Sequence, residues 1–228
     1  MARTRTVAAL FTAPLVVAGA LATTVATAAS ATAASATAAS ATAASATAAP
    51  AAARPGPSLT CQGKGVDAKA EVRARAETVI DAPLSTIWKL QTDVGRWPSW
   101  QAHVTEVDRL GHGPFRPGSA FRWTTPIPPN PVTPATSLDI TSTVQQLKRG
   151  SCIRWTGPAI GEGLHIDGVH VWSFEKVRGG VLVRTEETHT GEQVDADVPF
   201  ATGILQQGLD AWLVDLKAAA EARPCLHR

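Results

Sequence analysis

The sequence predicts an α+β domain in which seven antiparallel strands form one sheet and a long C-terminal helix covers its concave face. Small apolar residues at even positions from 68 alternate with charged residues at 69–77, and Thr78 and Ile80 continue the even positions, which is typical of a half-buried strand. Apolar side chains recur at 205, 209, 212 and 216, the spacing of one helix face. Short helices alone cannot cover the apolar face of so large a sheet, so we expect the long helix to lie across it.

The elements between these two follow from turn residues and periodicity. Pro83 suits the first turn of a short helix that ends near Gly95, and a second short helical segment follows it. Further strands are predicted at 103–109, 118–124, 137–147, 151–157, 164–177 and 181–190, and the last helix at 200–222. Gly203 and Gly208 fall inside that helix, where each costs about 1 kcal/mol relative to alanine, so we expect close packing or room for a ligand beside them.

The first 60 residues carry no pattern of a folded domain. Arg3 and Arg5 precede an apolar run that ends in small residues near Ala28, which is typical of a secretory signal peptide cleaved there. Four A-S-A-T-A repeats and a proline-containing stretch follow, so 29–60 is interpreted as a low-complexity tether. We therefore expect a secreted, extracellular protein with one domain at 61–228 and no membrane span in the mature chain.

Charge and composition argue against a nucleic-acid ligand. The chain has 21 Lys and Arg against 19 Asp and Glu, and loss of Arg3 and Arg5 with the signal peptide leaves 19 against 19. A protein with a net charge near zero lacks the electrostatic attraction that polyanion binding requires. The seven tryptophans, with no tyrosine, fit an apolar interior that encloses a ligand, and they equally fit an ordinary core.

Three cysteines are expected in an oxidising compartment. Cys61 and Cys225 flank the domain, so we predict a disulfide that joins its two ends. The alternative, three unpaired cysteines, stays open. Cys152 falls within a predicted strand.

Two tight turns predict which strand residues face one another. With 179–180 as a two-residue loop, the expected opposed pairs are Phe174 with Thr185, Trp172 with Glu187, and His170 with His189. Opposed residues share a face of the sheet. The more apolar face of the strand at 164–177 carries His170 and Trp172, so Glu187 and His189 are expected to point inward with them.

The same reasoning extends to the neighbouring strands. With 149–150 as a loop, Trp155 lies opposite Val144 and Ile153 opposite Gln146, which places Trp155 inward. Phe121 and Trp123 join it because they alternate with a charged residue. The predicted interior is therefore an aromatic bowl that contains a carboxylate and two imidazoles.

Two motifs indicate a family. The run I-D-A-P-L-S-T-I-W over Ile80–Trp88, followed by D-V-G-R-W-P-S-W over Asp93–Trp100, resembles the polyketide cyclase/dehydrase branch of the START-related SRPBCC superfamily. The resemblance covers roughly 69–223 and implies the helix-grip fold, with a cavity beneath the C-terminal helix. The superfamily includes lipid carriers, hormone receptors and ring-closing enzymes, so the resemblance implies a cavity without fixing a reaction.

The candidate site residues lie on the predicted inner face. Glu187, His170 and His189 are candidate catalytic residues, since a carboxylate partly buried beside imidazoles can have a shifted pKa and transfer a proton. The alternative is that these three groups satisfy one another and orient a passive ligand. The predicted ligand-binding residues are Phe121, Trp123, Trp155, Trp172, Phe174, Leu205, Leu209 and Trp212.

The favoured function is binding of a small apolar or aromatic molecule, polyketide-like or lipid-like, in an internal cavity. The alternative is a cyclase or dehydratase in which Glu187 is the base and His170 or His189 are proton partners. A third possibility is a domain whose interior is simply filled. No cofactor is predicted.

No metal site is predicted either. His165 and Asp167 share one face of their strand, whereas His170 is an odd number of residues away and lies on the other face. A set of His170, Glu187 and His189 would be geometrically possible as two imidazoles and one carboxylate, but the resemblance implies no such metal pattern.

Overall fold

The computed structural model describes residues 57–129 and 135–222, so the predicted signal peptide, most of the tether and Cys225 lie outside the described residues. A short hairpin comes first, formed by β1 (Thr60–Cys61) and β2 (Lys64–Gly65). The main strands are β3 (Val72–Ile80), β4 (Glu106–Arg109), β5 (Ala120–Ile127), β6 (Thr136–Lys148), β7 (Cys152–Gly161), β8 (Leu164–Val177) and β9 (Gly180–Thr190). The helices are α1 (Leu84–Thr92), a 3₁₀ helix (Val94–Ser99), α2 (Glu192–Asp195) and α3 (Val198–Glu221).

The main sheet has seven antiparallel strands in the order β3-β9-β8-β7-β6-β5-β4. The predicted α+β class and helix-grip arrangement are therefore confirmed, with α3 as the gripped helix. β5 is longer than predicted and includes Pro126, which pairs in register with Ser137. A proline is tolerated there because β4 pairs with β5 only as far as Thr124, so Pro126 needs no hydrogen-bond donor on its other side.

Helix α3 lies along β3 and buries its predicted apolar face. Asp197 caps its N-terminus by accepting a hydrogen bond from the amide of Phe200. The amide side chain of Gln206 bonds the backbone N–H and C=O of Arg75, and the Lys217 ammonium donates to the Val79 carbonyl. The inward face consists of Leu205, Leu209, Trp212, Leu213 and Leu216, all buried.

The two helix glycines do not serve close packing. A Cβ added at Gly203 or Gly208 would meet no atom within 4 Å, so neither glycine is needed for contact with the sheet. Open space remains beside Gly203, which is half-buried, whereas Gly208 faces solvent.

The β8–β9 hairpin keeps the predicted faces but not the predicted pairs. Its loop is 178–179, so His170 lies opposite Glu187 and Trp172 opposite Thr185, a shift of two residues from the prediction. Gly180 is the first residue of β9, and a Cβ there would collide with the Ile80 carbonyl, so the position requires glycine. A shift of two preserves the inward direction of every side chain.

The β6–β7 hairpin contains a bulge that the prediction missed. Trp155 lies opposite Val144 as predicted, but Ile153 faces Leu147 rather than Gln146. The register shifts between Val144 and Gln146, where one extra residue of β6 is accommodated. This extra residue lets Val144 and Leu147 both contribute to the core.

The N-terminal segment covers the outer face of the sheet through a disulfide and a buried ion pair. Cys61 is bonded to Cys152, which contradicts the predicted Cys61–Cys225 pair. Cys152 is in a strand as predicted, but its side chain faces outward, where the β1–β2 hairpin packs over it and over Val171. Glu186, 1% exposed, accepts hydrogen bonds from Ser58 and Arg75 in the same region.

We expect this disulfide to contribute strongly to stability. Closing a loop across a sequence separation of 91 residues is worth about 4–5 kcal/mol in the chain-entropy model. Cys152→Ser should lower the free energy of unfolding by an amount of that order in denaturant titrations. Cys225→Ser is the control and should change it little. Non-reducing peptide mapping that joins Cys225 to either of the other cysteines would contradict this pairing.

Candidate functional site

The concave face of the sheet carries a continuous cluster of aromatic rings, and Trp97 lies at its centre. This residue of the W-P-x-W motif is fully buried, and its ring lies 4.9 Å from Trp212 and 5.3 Å from Phe121, measured between ring centroids. It also packs against Trp123 and Trp155. Trp97 was not among the residues predicted to line the interior, because no strand alternation or helix face marks its position.

The predicted cavity is occupied by these rings. The centroids of Trp172 and Trp212 are 6.0 Å apart, and those of Trp155 and Trp172 are 6.2 Å apart, so neighbouring indoles are in contact. The physical reason is the extra indole that the 3₁₀ helix inserts between the sheet and α3. The predicted lining residues all belong to this core, namely Phe121, Trp123, Trp155, Trp172, Phe174, Leu205, Leu209 and Trp212.

A polar network occupies one part of this apolar face. The Nδ1 of His170 lies 3.1 Å from one carboxylate oxygen of Glu187, and the Nε2 of His189 lies 3.3 Å from the other. The Nε2 of His170 is 2.5 Å from the hydroxyl of Thr185. The structure therefore brings the three candidate catalytic residues together on the inner side of β8 and β9, and it adds Thr185.

The network is buried at one end and partly open at the other. Thr185 is fully buried and the His170 side chain is 8% exposed, whereas Glu187 and His189 are 18% and 21% exposed. Gly168 lies opposite His189 in β8, and a Cβ at this glycine would touch both the carboxylate of Glu187 and the ring of His189. These would be ordinary van der Waals contacts, so Gly168 lies directly against the two side chains.

Burial and neighbouring charges set the protonation states. Burial lowers the pKa of His170, although Glu187 raises it in part. Burial alone would raise the pKa of Glu187, but the charges of His170 and His189 and a hydrogen bond from His189 outweigh it, so the net pKa is lowered. At neutral pH, Glu187 is accordingly an anion and His170 is neutral.

These states determine the direction of each hydrogen bond. An ionised carboxylate only accepts, so the Nδ1 of His170 carries the proton and donates to Glu187. The Nε2 of a neutral His170 then accepts from the hydroxyl of Thr185. For the same reason His189 donates through its Nε2, and its Nδ1 makes no hydrogen bond to any described residue.

Gln91 is a second polar residue that the sequence analysis missed. Its side-chain oxygen accepts from the indole N–H of Trp212 and its backbone carbonyl accepts from that of Trp97. The only sequence signal was its position on the apolar face of the predicted helix, where a polar residue needs a buried partner.

Other site types find no support in the part of the chain that the structure describes. No three His, Cys, Asp or Glu side chains there are arranged to hold a metal ion. His165 and Asp167 lie on the outer face with exposed side chains, away from His170. No helix within the described ranges is long and apolar enough to cross a membrane.

Two surface pockets lined by described residues lie outside the polar network, and Phe174 lines the second of them. One is a polar depression on the outer face of β4, β5 and β6, beside Asp108 and Arg122. The other lies beside the disulfide and includes Lys148 and Ser173. Neither contains a residue of the polar network.

Comparison with protein families gives one match over most of the domain. Residues 71–221 match the model of the family described as polyketide cyclase / dehydrase and lipid transport. No curated protein matches the chain.

Solved structures share the fold at low sequence identity. A START superfamily protein from Mycobacterium smegmatis is 13% identical with a TM-score of 0.51, and the match covers 65% of this chain and 97% of that protein. Protein CV1439 from Chromobacterium violaceum is 15% identical with a TM-score of 0.51, over 67% and 99% of the two chains. The di-domain ARO/CYC StfQ of the steffimycin biosynthetic pathway is 17% identical with a TM-score of 0.52, over 66% of this chain and 50% of that one.

The polar network predicts a loss of stability in acid. Because the pKa of His170 is lowered from 6.5, its contribution is complete above that pH and declines as the unfolded chain takes up the proton first. Glu187, lowered from 4.5, adds a second loss as the pH falls through its folded pKa. The free energy of unfolding should therefore fall by up to about 1.4 kcal/mol per pH unit per group.

Urea titrations at about pH 7.5 and about pH 5.5 test the first of these losses. His170→Gln should reduce the difference between the two conditions, whereas His165→Gln, which removes an exposed imidazole, should leave it unchanged. An equal pH dependence in wild type and His170→Gln would contradict the assignment.

Proposed function

The chain belongs to the polyketide cyclase/dehydrase and lipid transport family, and from this premise we propose that it is a secreted protein that binds a small apolar or aromatic molecule, polyketide-like or lipid-like, between the sheet and α3. The fold supports this proposal because α3 and the concave face together present an aromatic surface to any molecule between them. Since indoles already fill the centre, binding requires these rings to move apart.

The observation that carries the proposal is the ionised Glu187 on an otherwise apolar face. Placing a carboxylate there requires compensation, and the two imidazoles provide it. The apolar packing around these groups does not itself call for a charged side chain. A polar group kept at a partly open edge of an apolar surface is typical of a site that orients a bound molecule.

A second candidate function is a cyclase or dehydratase, and the hydrogen-bonded chain Thr185–His170–Glu187–His189 favours it. The lowered pKa of Glu187 makes this carboxylate a weaker base than neutral-pH proton abstraction needs. Both of its oxygens also face imidazole nitrogens. In an enzyme, His189 would exchange the proton through its free Nδ1, and Glu187 would hold both rings in position.

Secretion has its own supporting observation. A disulfide between Cys61 and Cys152 persists in oxidising compartments and is rare in the bacterial or eukaryotic cytosol. The charged start, apolar run and small residues near Ala28 agree with export.

We expect flat aromatic compounds to quench the tryptophan emission of the protein saturably, because a ligand between the sheet and α3 would lie against several indoles. Glu187→Gln should keep the fold and change the affinity for such compounds. If the site is catalytic, the same substitution should instead preserve binding and reduce turnover of a poly-β-ketone or hydroxy-ketone by about a hundredfold or more. Glu175→Gln, on the outer face of β8, is the matched control.

The outcomes separate the candidate functions. Saturable binding without conversion of any ketone substrate supports a binding protein. Conversion that depends on Glu187 and His189 supports the enzyme. No saturable binding across a broad panel would leave a domain with a filled interior and would refute both.

Secretion predicts a mature N-terminus near Ala29. N-terminal sequencing of protein recovered from the culture medium measures it directly. Protein that keeps Met1 and remains in the cytosol would refute the proposal of export.

A further inference from the structure

Buried hydrogen-bond donors without partners surround Trp212 in the aromatic cluster. The indole nitrogens of Trp100 and Trp172 and the amide nitrogen of Gln91 are shielded from solvent and make no hydrogen bond to any described residue. A buried N–H without an acceptor costs free energy comparable to a lost hydrogen bond, and native structures contain few of them. Three in one part of a core require a physical explanation.

All three donors belong to residues that contact Trp212. The Gln91 side-chain oxygen lies 3.2 Å from the indole nitrogen of Trp212. The ring centroids of Trp172 and Trp100 lie 6.0 Å and 6.2 Å from that of Trp212. The donors come from α1, from the end of the 3₁₀ helix and from β8, so three separate elements converge on one side chain.

The set is unbalanced toward donors. Amide and indole N–H groups donate and cannot accept. Gln101, next to Trp100, adds another buried amide nitrogen of the same kind. The remaining buried atom without a partner in the described chain is the hydroxyl of Ser173, which alternates with Trp172 and therefore lies on the outer face. The group that would satisfy these inward-facing N–H donors is an oxygen that accepts hydrogen bonds.

The negative charge of Glu187 on the same face limits which kind of oxygen can be the acceptor. The ring of Trp172 lies 4.9 Å from that of His170, which bonds the ionised Glu187. A second carboxylate buried this near would be repelled by the first. A neutral carbonyl oxygen accepts hydrogen bonds from the same donors without that repulsion.

We propose that Gln91, Trp100 and Trp172 form a subsite for the carbonyl oxygen of a neutral, flat ligand, which displaces the indole of Trp212 when it binds. This inference rests on the proposed function of ligand binding. It adds a selection rule: the protein prefers a ketone over the matching hydrocarbon and over the matching carboxylate. Displacing Trp212 also frees the side-chain oxygen of Gln91, so the amide can turn its nitrogen toward the ligand.

Fluorenone and fluorene test this rule, because the two flat molecules differ by one carbonyl oxygen. In calorimetric or fluorescence titrations of the full secreted chain, fluorenone should bind about fivefold tighter or more, the scale of one hydrogen bond. A fluorene carboxylate should bind more weakly than fluorenone. Without a donor for its oxygen, fluorenone would instead bind no better than fluorene, since its carbonyl would lose hydrogen bonds to water.

Two variants locate the effect. Trp172→Phe keeps an aromatic ring and removes one N–H, and Gln91→Met keeps the length and removes the amide. Each should reduce the preference for fluorenone to about twofold or less. Ser173→Ala removes a buried hydroxyl without a partner from the opposite face and should keep the wild-type preference.

A direct readout covers variants that fail to fold. In the wild type, the indole N–H resonances of Trp100 and Trp172 should move downfield when fluorenone is added and stay in place with fluorene. Equal binding of both molecules, with unchanged N–H resonances, would overturn the subsite and leave ligand binding standing. Failure of both molecules to bind would count against the proposed function itself.

Discussion

The perpendicular contact between the indoles of Trp97 and Trp212 connects the layers of the domain. Their centroids are 4.9 Å apart at an interplanar angle of 90°. Trp97 reaches the sheet through Phe121, Trp123 and Trp155, and Trp212 carries α3 onto the same surface. An edge-to-face pair of this kind adds about 0.5–1.5 kcal/mol to the burial of the two rings. The short 3₁₀ helix thus packs Trp97 between the sheet and α3.

The polar network lies among apolar core residues, where burying polar groups costs free energy. A carboxylate and two imidazoles take the place of apolar side chains in the middle of β8 and near the end of β9, and each must be satisfied by another. Glu186, the next residue along, solves the same problem on the other face with arginines and the N-terminal segment. The outer carboxylate is closed off by the structure, whereas Glu187 keeps some exposure, so only the inner one can meet a ligand.

Period-two alternation predicted the inward faces of the long strands, because a side chain's direction depends only on parity. Pairing also depends on where a turn begins, and Gly180 pairs with Val177 inside the strand, at a position where a Cβ would collide with the backbone of Ile80. The bulge between Val144 and Gln146 has no sequence signal, since it follows from fitting β6 to its neighbour. The predicted Cys61–Cys225 disulfide was wrong because the segment of Cys61 packs on the outer face beside Cys152. No local sequence pattern encodes such a tertiary contact. The motifs identified the family, but which rings fill the bowl depends on packing between distant segments.

The two faces of the sheet are held in different ways, and this determines which of them can open. On the outer face, a covalent bond and buried ion pairs fix the N-terminal segment. On the inner face, α3 hydrogen-bonds the edge strand β3 through Gln206 and Lys217. It also bonds Gln91 of α1 through Trp212 and the amide of Ala102 through Asp215. Trp212 reaches β5 and β8 by ring contacts alone. Contacts between rings can be exchanged for contacts with a flat aromatic ligand, whereas such a ligand could not replace the hydrogen bonds along β3. A ligand between the sheet and α3 would therefore have to replace the ring contacts of Trp212 and its hydrogen bond to Gln91, whereas the hydrogen bonds along β3 could stay in place.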